Sequence, residues 1–134
     1  MNQLPGIISE ILSEGQLSIV KITITGGVFS AIVIDTPSTA SYLEKGALVN
    51  MLFKENEVVV AKDFSGQISL QNRFDCAIVG MEMGKLLCKV IMNYQGFEIR
   101  SLITANAALQ MDLAIGDKVT AMVKTNEISL LPHD

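Results

Sequence analysis

An internal repeat constrains this chain more than any other feature. Gly116-Asp117-Lys118-Val119-Thr120-Ala121-Met122-Val123-Lys124-Thr125-Asn126-Glu127-Ile128 reads as a turn, a strand, a Lys-Thr-Asn corner and the start of a second strand. Seventy positions earlier (116 − 46 = 70), Gly46-Ala47-Leu48-Val49-Asn50-Met51-Leu52-Phe53-Lys54-Glu55-Asn56-Glu57-Val58 has the same pattern. Gly46/Gly116, Val49/Val119, Lys54/Lys124, Asn56/Asn126 and Glu57/Glu127 are identical. In the same register Asn2 falls on Asn72, Ile8 on Ile78, Leu17 on Leu87, Val20 on Val90, Gly26 on Gly96 and Leu43 on Leu113, without a gap. These identities occupy turn glycines, apolar strand positions and the Lys-x-Asn-Glu corners, where a shared fold restricts the residue. One small module is written twice.

The repeat divides the chain into a first copy over 1–62, a connector over 63–71 and a second copy over 72–134. Each copy holds roughly 65 residues, a size at which a lone core is marginally stable. With 49% hydrophobic and 18% charged residues, the chain has more apolar surface than two such modules can bury alone. Packing of the copies on each other, and association into an oligomer, is the expected remedy. The connector Lys62 to Gln71 is not a low-complexity linker, so the copies are expected to pack rather than swing.

Within the first copy, Ile7 to Leu12 reads as a short strand after a Pro5-Gly6 turn signal. Leu17 to Thr25 is β-branched, with Val20, Ile22 and Ile24 at period two, as in a strand with one buried face. Gly26-Gly27 is a hairpin signal leading to a strand over Val28 to Ile34. Thr36-Pro37-Ser38 reads as a helix start, with the helix running to about Leu43 and stopping at Lys45-Gly46. Leu48 to Phe53 and Val58 to Ala61 are the last two strands. The second copy repeats the order, with strands over Cys76 to Met81, Leu86 to Tyr94, Glu98 to Thr104, Val119 to Val123 and Ile128 to Leu131. Asn106 is the expected cap of its short helix, which runs to Leu113. Asn56 and Asn126 read as β-turn residues, since Asn tolerates a left-handed backbone. Five short strands with a helix between the third and fourth is the element order of an OB-type barrel. The expected class is all-β with short helices, as two tandem OB-like five-stranded barrels.

Several functions are disfavoured by what the chain lacks. A net charge of −4, a pI near 4.9 and the absence of a Lys/Arg run argue against a nucleic-acid groove. Tyr42, Tyr94 and the five phenylalanines supply no stacking platform beside a basic field. Cys76 and Cys88 form no CxxC and His133 is the single histidine, so tetrahedral zinc has too few ligands and both cysteines read as small buried hydrophobes. Nucleophile elbows, phosphate loops and HExxH motifs are missing, which points away from an enzyme. The N-terminal residues do not read as a signal peptide and no apolar run suits a membrane span, so a cytoplasmic protein without a membrane partner is expected.

Asn2-Gln3-Leu4-Pro5-Gly6, the Gly-Gly hairpin, the Gly46 and Gly116 turns and the Lys-x-Asn corners resemble molybdenum-binding Mop (TOBE) domains. Two copies with little else resemble a di-Mop molbindin. In that family the repeat opens with Ser-Ala-Arg-Asn-Gln and its fourth strand ends in Lys-Ser/Ala-Thr/Ser, and the oxyanion sits between domains. The resemblance implies molybdate or tungstate as ligand, no catalytic cofactor, and a homo-oligomer, with a trimer favoured. Carried onto this chain, it selects Lys124 and Thr125 as cation and hydroxyl donor, with Ser69 and Gln71 in the opening motif and Lys54 in the first copy. Gln71 stands where the family has arginine, Arg73 comes two positions late, and Glu55 follows Lys54 where a hydroxyl belongs.

Tetrahedral molybdate needs only converging N–H groups, hydroxyls and one or two cations. The expected role is therefore storage or homeostasis of the oxyanion between Mop domains. The rival expectation, favoured by Gln71 and Glu55, is a ligand-poor Mop-type interaction module that assembles with a molybdate transporter or regulator.

Overall fold

The alternation seen in the sequence becomes ten strands in the computed structural model, which describes residues 1–133. The first copy forms β1 (Asn2–Glu14), β2 (Leu17–Ile24), β3 (Gly27–Val33), β4 (Leu48–Phe53) and β5 (Val59–Ala61). The second forms β6 (Asn72–Met83), β7 (Leu87–Tyr94), β8 (Phe97–Thr104), β9 (Lys118–Val123) and β10 (Ser129–Pro132). The period-two residues Val20, Ile22 and Ile24 are buried as expected, and Val90, Met92 and Tyr94 repeat them in β7. Both opening strands are longer than expected. Each carries a β-bulge at the equivalent place, between Ile8 and Glu10 and between Ile78 and Gly80, which bends a long strand so that its sheet can curl.

The two five-stranded sheets have the orders β10-β4-β1-β2-β3 and β5-β9-β6-β7-β8. Sheet membership crosses between the copies, because each copy gives its fifth strand to the other. Val60 of β5 pairs with Ala121 of β9, and Leu130 of β10 pairs with Met51 of β4. The two copies share one core. Phe29 stacks on Phe74 at 4.4 Å between ring centroids, Phe53 lies 5.8 Å from Phe74, and Tyr94 meets Phe74 edge-on at 5.1 Å. Such pairs contribute about 0.5–1.5 kcal/mol each beyond their buried area, and the Phe29–Phe74 and Phe53–Phe74 pairs tie one copy to the other.

Two buried asparagines repeat that tie with hydrogen bonds. Asn72 Oδ1 accepts from the Ser30 N–H at 2.7 Å and its Nδ2 donates to the Ser30 carbonyl at 2.8 Å. Asn2 does the same with Arg100, at 2.8 and 2.9 Å. Ser30 and Arg100 are themselves 70 positions apart, so the two bridges are symmetry mates of the duplication.

The sequence reading needs correction at several points. The segment from Thr36 to Leu43 forms turns, not a helix. Its hydroxyls compete for the local polar groups: Thr39 Oγ1 accepts from the Thr36 N–H at 2.8 Å, and Thr36 and Ser38 share a hydroxyl contact at 2.8 Å. The alanine-rich equivalent does form a helix, α1 (Ala105–Gln110), but Thr104 rather than Asn106 caps it, accepting from the Ala107 N–H. Lys62 closes the other end of that segment, donating to the Met111 and Asp112 carbonyls and pairing with Asp117 at 3.1 Å. Pro5-Gly6 lies inside β1 rather than in a turn. β2 pairs with β1 only from Ile7 onward, so the N–H that proline lacks is not needed there. A Cβ on Gly6 would collide with the Ile22 side chain. The first hairpin turns on Thr25-Gly26, with Ile24 opposite Gly27. Asn56 and Asn126 lie in 3-10 turns over Glu55–Glu57 and Thr125–Glu127, without a left-handed backbone.

Candidate functional site

The two Lys-x-Asn corners are built alike. Lys124 follows β9 with extended backbone (φ −70°, ψ 143°) and leads into the 3-10 turn, and Lys54 follows β4 in the same way (φ −76°, ψ 149°). The turns are closed by the Glu127 N–H on the Lys124 carbonyl and by the Glu57 N–H on the Lys54 carbonyl, at 3.0 and 3.1 Å. Each corner packs against the third strand of the other copy, Lys124's against β3 and Lys54's against β8. Strand exchange thus places each lysine at a junction between copies.

Asn72 opens β6 and pairs with Val123, the last residue of β9. The next positions outward along the two chains are Gln71 and Lys124, just past the last pair of the ladder. Lys124 is exposed and Thr125 half-buried. Among the described residues, neither enters an ion pair or a side-chain hydrogen bond. Ser69 is exposed in the connector two residues further out, and among the described residues no hydrogen bond brings it to Lys124 or Thr125. Arg73 turns to the connector instead: its Nε and Nη2 donate to the Leu70 and Ile68 carbonyls, and its guanidinium lies 5.7 Å from the centre of the Phe64 ring.

The first-copy corner has a different charge environment. Glu55 Oε2 lies 3.4 Å from the Met1 ammonium and Oε1 lies 4.0 Å from Lys89 Nζ. Arg100 lies nearby, its guanidinium held above its usual value first by the hydrogen bond to Glu98 at 2.7 Å and more weakly by Glu55 and Glu82. Sequence reasoning missed Lys89 and Arg100, because nothing local in the chain joins residues so far from Lys54.

Two further groups have no part in these corners. Cys76 and Cys88 are buried free thiols. Burial pushes the Cys76 thiol up to about 12, so it stays protonated and unreactive. On the outer face of the first sheet, Leu48, Ile7, Thr23 and Val28 lie side by side across four strands, and the three apolar members are each about half exposed. They edge a shallow groove of about 760 Å³. The equivalent row in the second sheet is Lys118, Ala77, Asn93 and Glu98.

Residues 68–130 match the TOBE domain. The structure superposes on a cytoplasmic molybdate-binding protein, ModG, crystallised with molybdate bound. That match has a TM-score of 0.91 and 26% identity, and covers 98% of this chain and 96% of the other.

Residues 68–130, the second repeat, form a TOBE domain.

A molybdate-binding protein from Sporomusa ovata is 35% identical over 49% of this chain and 98% of its own length, with a TM-score of 0.48. No curated protein matched the chain in a sequence comparison. The TOBE match covers the whole Lys124–Asn126 corner and the Ser69–Asn72 segment. The duplicated fold gives the first copy the same corner in a different charge environment. Among the described residues, no helix is long and apolar enough to cross a membrane.

Proposed function

We propose that this TOBE-domain protein binds molybdate or tungstate for storage or homeostasis in the cytoplasm, without catalysis, using the Lys124–Thr125 corner. The observation that carries this reading is the corner itself. Lys124 and a half-buried hydroxyl stand at a junction between copies with no competing ion pair among the described residues, in a fold that superposes on a molybdate-binding protein. A dianion there takes a charge-assisted hydrogen bond from Lys124 and a second from Thr125, strengthened by the partial burial of the junction. Gln71 adds an amide donor in place of a guanidinium. Ser69 supplies a hydroxyl from the connector, belonging either to the same chain or to a neighbouring one.

The apolar row Leu48, Ile7 and Val28 supports a homo-oligomer, and the family resemblance favours a trimer. Exposed contiguous apolar surface of this kind marks an interface, and the equivalent row in the second sheet is polar. Burying the row against another copy also brings TOBE repeats of different chains together, as an intersubunit oxyanion site requires.

Isothermal titration of phosphate-free protein with molybdate, with sulfate as control, tests the function. Micromolar or tighter binding of molybdate with much weaker sulfate is expected. Absence of heat at millimolar molybdate would overturn it. It would favour the second reading, a ligand-poor module that assembles with a molybdate transporter or regulator, for which the engagement of Arg73 by the connector is the specific support.

A further inference from the structure

The two corners share a backbone but differ in charge, and the difference is organised. At the Lys54 corner, Glu55 faces the Met1 ammonium and Lys89, with the Arg100–Glu98 pair nearby. Seventy positions away, the residues corresponding to Glu55, Lys89, Glu98 and Arg100 are Thr125, Ile19, Val28 and Ser30. The acid next to the corner lysine and the bases that face it are present together in one copy and absent together in the other. Glu55 is only a quarter exposed, its carboxylate lies 4.0 Å from Lys89 Nζ, and Arg100 has its main chain fixed at the same junction by Asn2. The carboxylate thus occupies a cationic setting at the place where Thr125 leaves the second corner open.

We propose that Glu55 acts as a built-in substitute for the oxyanion: its carboxylate, held by the Met1 ammonium and Lys89, fills the first-copy corner, so that the chain has one working corner and one closed one. The proposal rests on the oxyanion-binding reading above. A carboxylate and a molybdate offer the same chemistry to these cations, acceptor oxygens carrying negative charge. The carboxylate is tethered, so it competes at a high effective concentration, and it repels a free dianion from Lys54. Glu55 therefore determines which repeat takes the ligand. Lys89, the side-chain cation that faces this carboxylate, belongs to a latent anion site behind it.

The test compares molybdate titrations of the wild-type chain, Glu55→Thr and Glu55→Gln, with sulfate as control and circular dichroism to verify the fold. Glu55→Gln keeps the side-chain size if the threonine variant folds poorly. The expected result is a second class of molybdate sites in both variants that the wild type lacks. That class should weaken at least tenfold when Lys89→Ile is added. Unchanged stoichiometry in the variants, beside a wild type that binds, would overturn the proposal and leave the function standing. New sites in the variants beside a wild type that does not bind would overturn the division into one working and one closed corner and remove Lys124–Thr125 as a site. Binding in none of the three would overturn both.

Discussion

Asn72 and Ser30 exchange two hydrogen bonds across the junction of the copies, the amide of one reading the backbone of the other as a neighbouring strand would. Asn72 is 1% exposed, so no water can replace either bond. Asn72→Asp keeps the shape but loses the donor and buries a charge. Leaving a buried group unpaired costs about 1–3 kcal/mol, more with charge. Denaturant melts are expected to show a loss of about 2–3 kcal/mol for this variant, and a comparable loss for Asn2→Asp. A loss under about 0.5 kcal/mol would show that the bridge is not formed in solution.

Lys124→Ala and Thr125→Val should each weaken molybdate binding roughly tenfold or more, as expected for a charge-assisted or hydroxyl hydrogen bond to a dianion. Lys124 is exposed and makes no ion pair among the described residues, so its removal should leave the melting temperature unchanged. Calorimetry and thermal melts on the same samples separate the two effects. Equal affinity in Lys124→Ala would remove this lysine from the site.

The Cys76 thiol predicts an alkaline limb of stability. Burial raises it from 9.0 to about 12 in the folded chain, so the native state holds this proton more tightly than the unfolded state does. Its contribution is intact below about pH 9 and is lost as pH rises toward about 12. Tyr94 is shifted in the same direction, again mainly by burial. Thermal melts across that window should fall, and Cys76→Ala should flatten the fall. Thiol reagents should label neither cysteine until the chain unfolds.

The apolar row predicts which face holds copies together. Ile7→Lys or Leu48→Lys should shift sedimentation toward the monomer, because a lysine cannot be buried unpaired in the interface. Ala77→Lys, at the position in the second sheet equivalent to Ile7, should leave the assembly intact. Dissociation by Ala77→Lys with no effect of Ile7→Lys would place the interface on the other sheet.

Much of this protein was legible in its residues because its signals are local. Period-two burial in Leu17–Ile24, the turn glycines and the register of seventy are written within a few positions of each other, and the strands follow. The errors had local causes as well: the hydroxyls of Thr36, Ser38 and Thr39 competed with the helix that Thr36-Pro37 announced. The corner lysines were visible as a repeat and the Glu55 departure as a break in it. The surroundings of Glu55 were not, since Lys89 and Arg100 reach it only through the packing of one copy on the other.

By itself, the sequence determined the duplication, the strand pattern and the residue types at each corner, because backbone preference and burial periodicity act over short stretches. Only the tertiary structure decided that the copies exchange their fifth strands. Val59–Ala61 and Ser129–Pro132 present similar apolar faces, so pairing within a copy or across copies satisfies the same local rules. The choice falls to long-range contacts: the aromatic stack, the Asn2 and Asn72 bridges, and the corners that lie on the opposite copy. Those contacts also leave the hydroxyl after one lysine open and pair the carboxylate after the other with Lys89 and the Met1 ammonium.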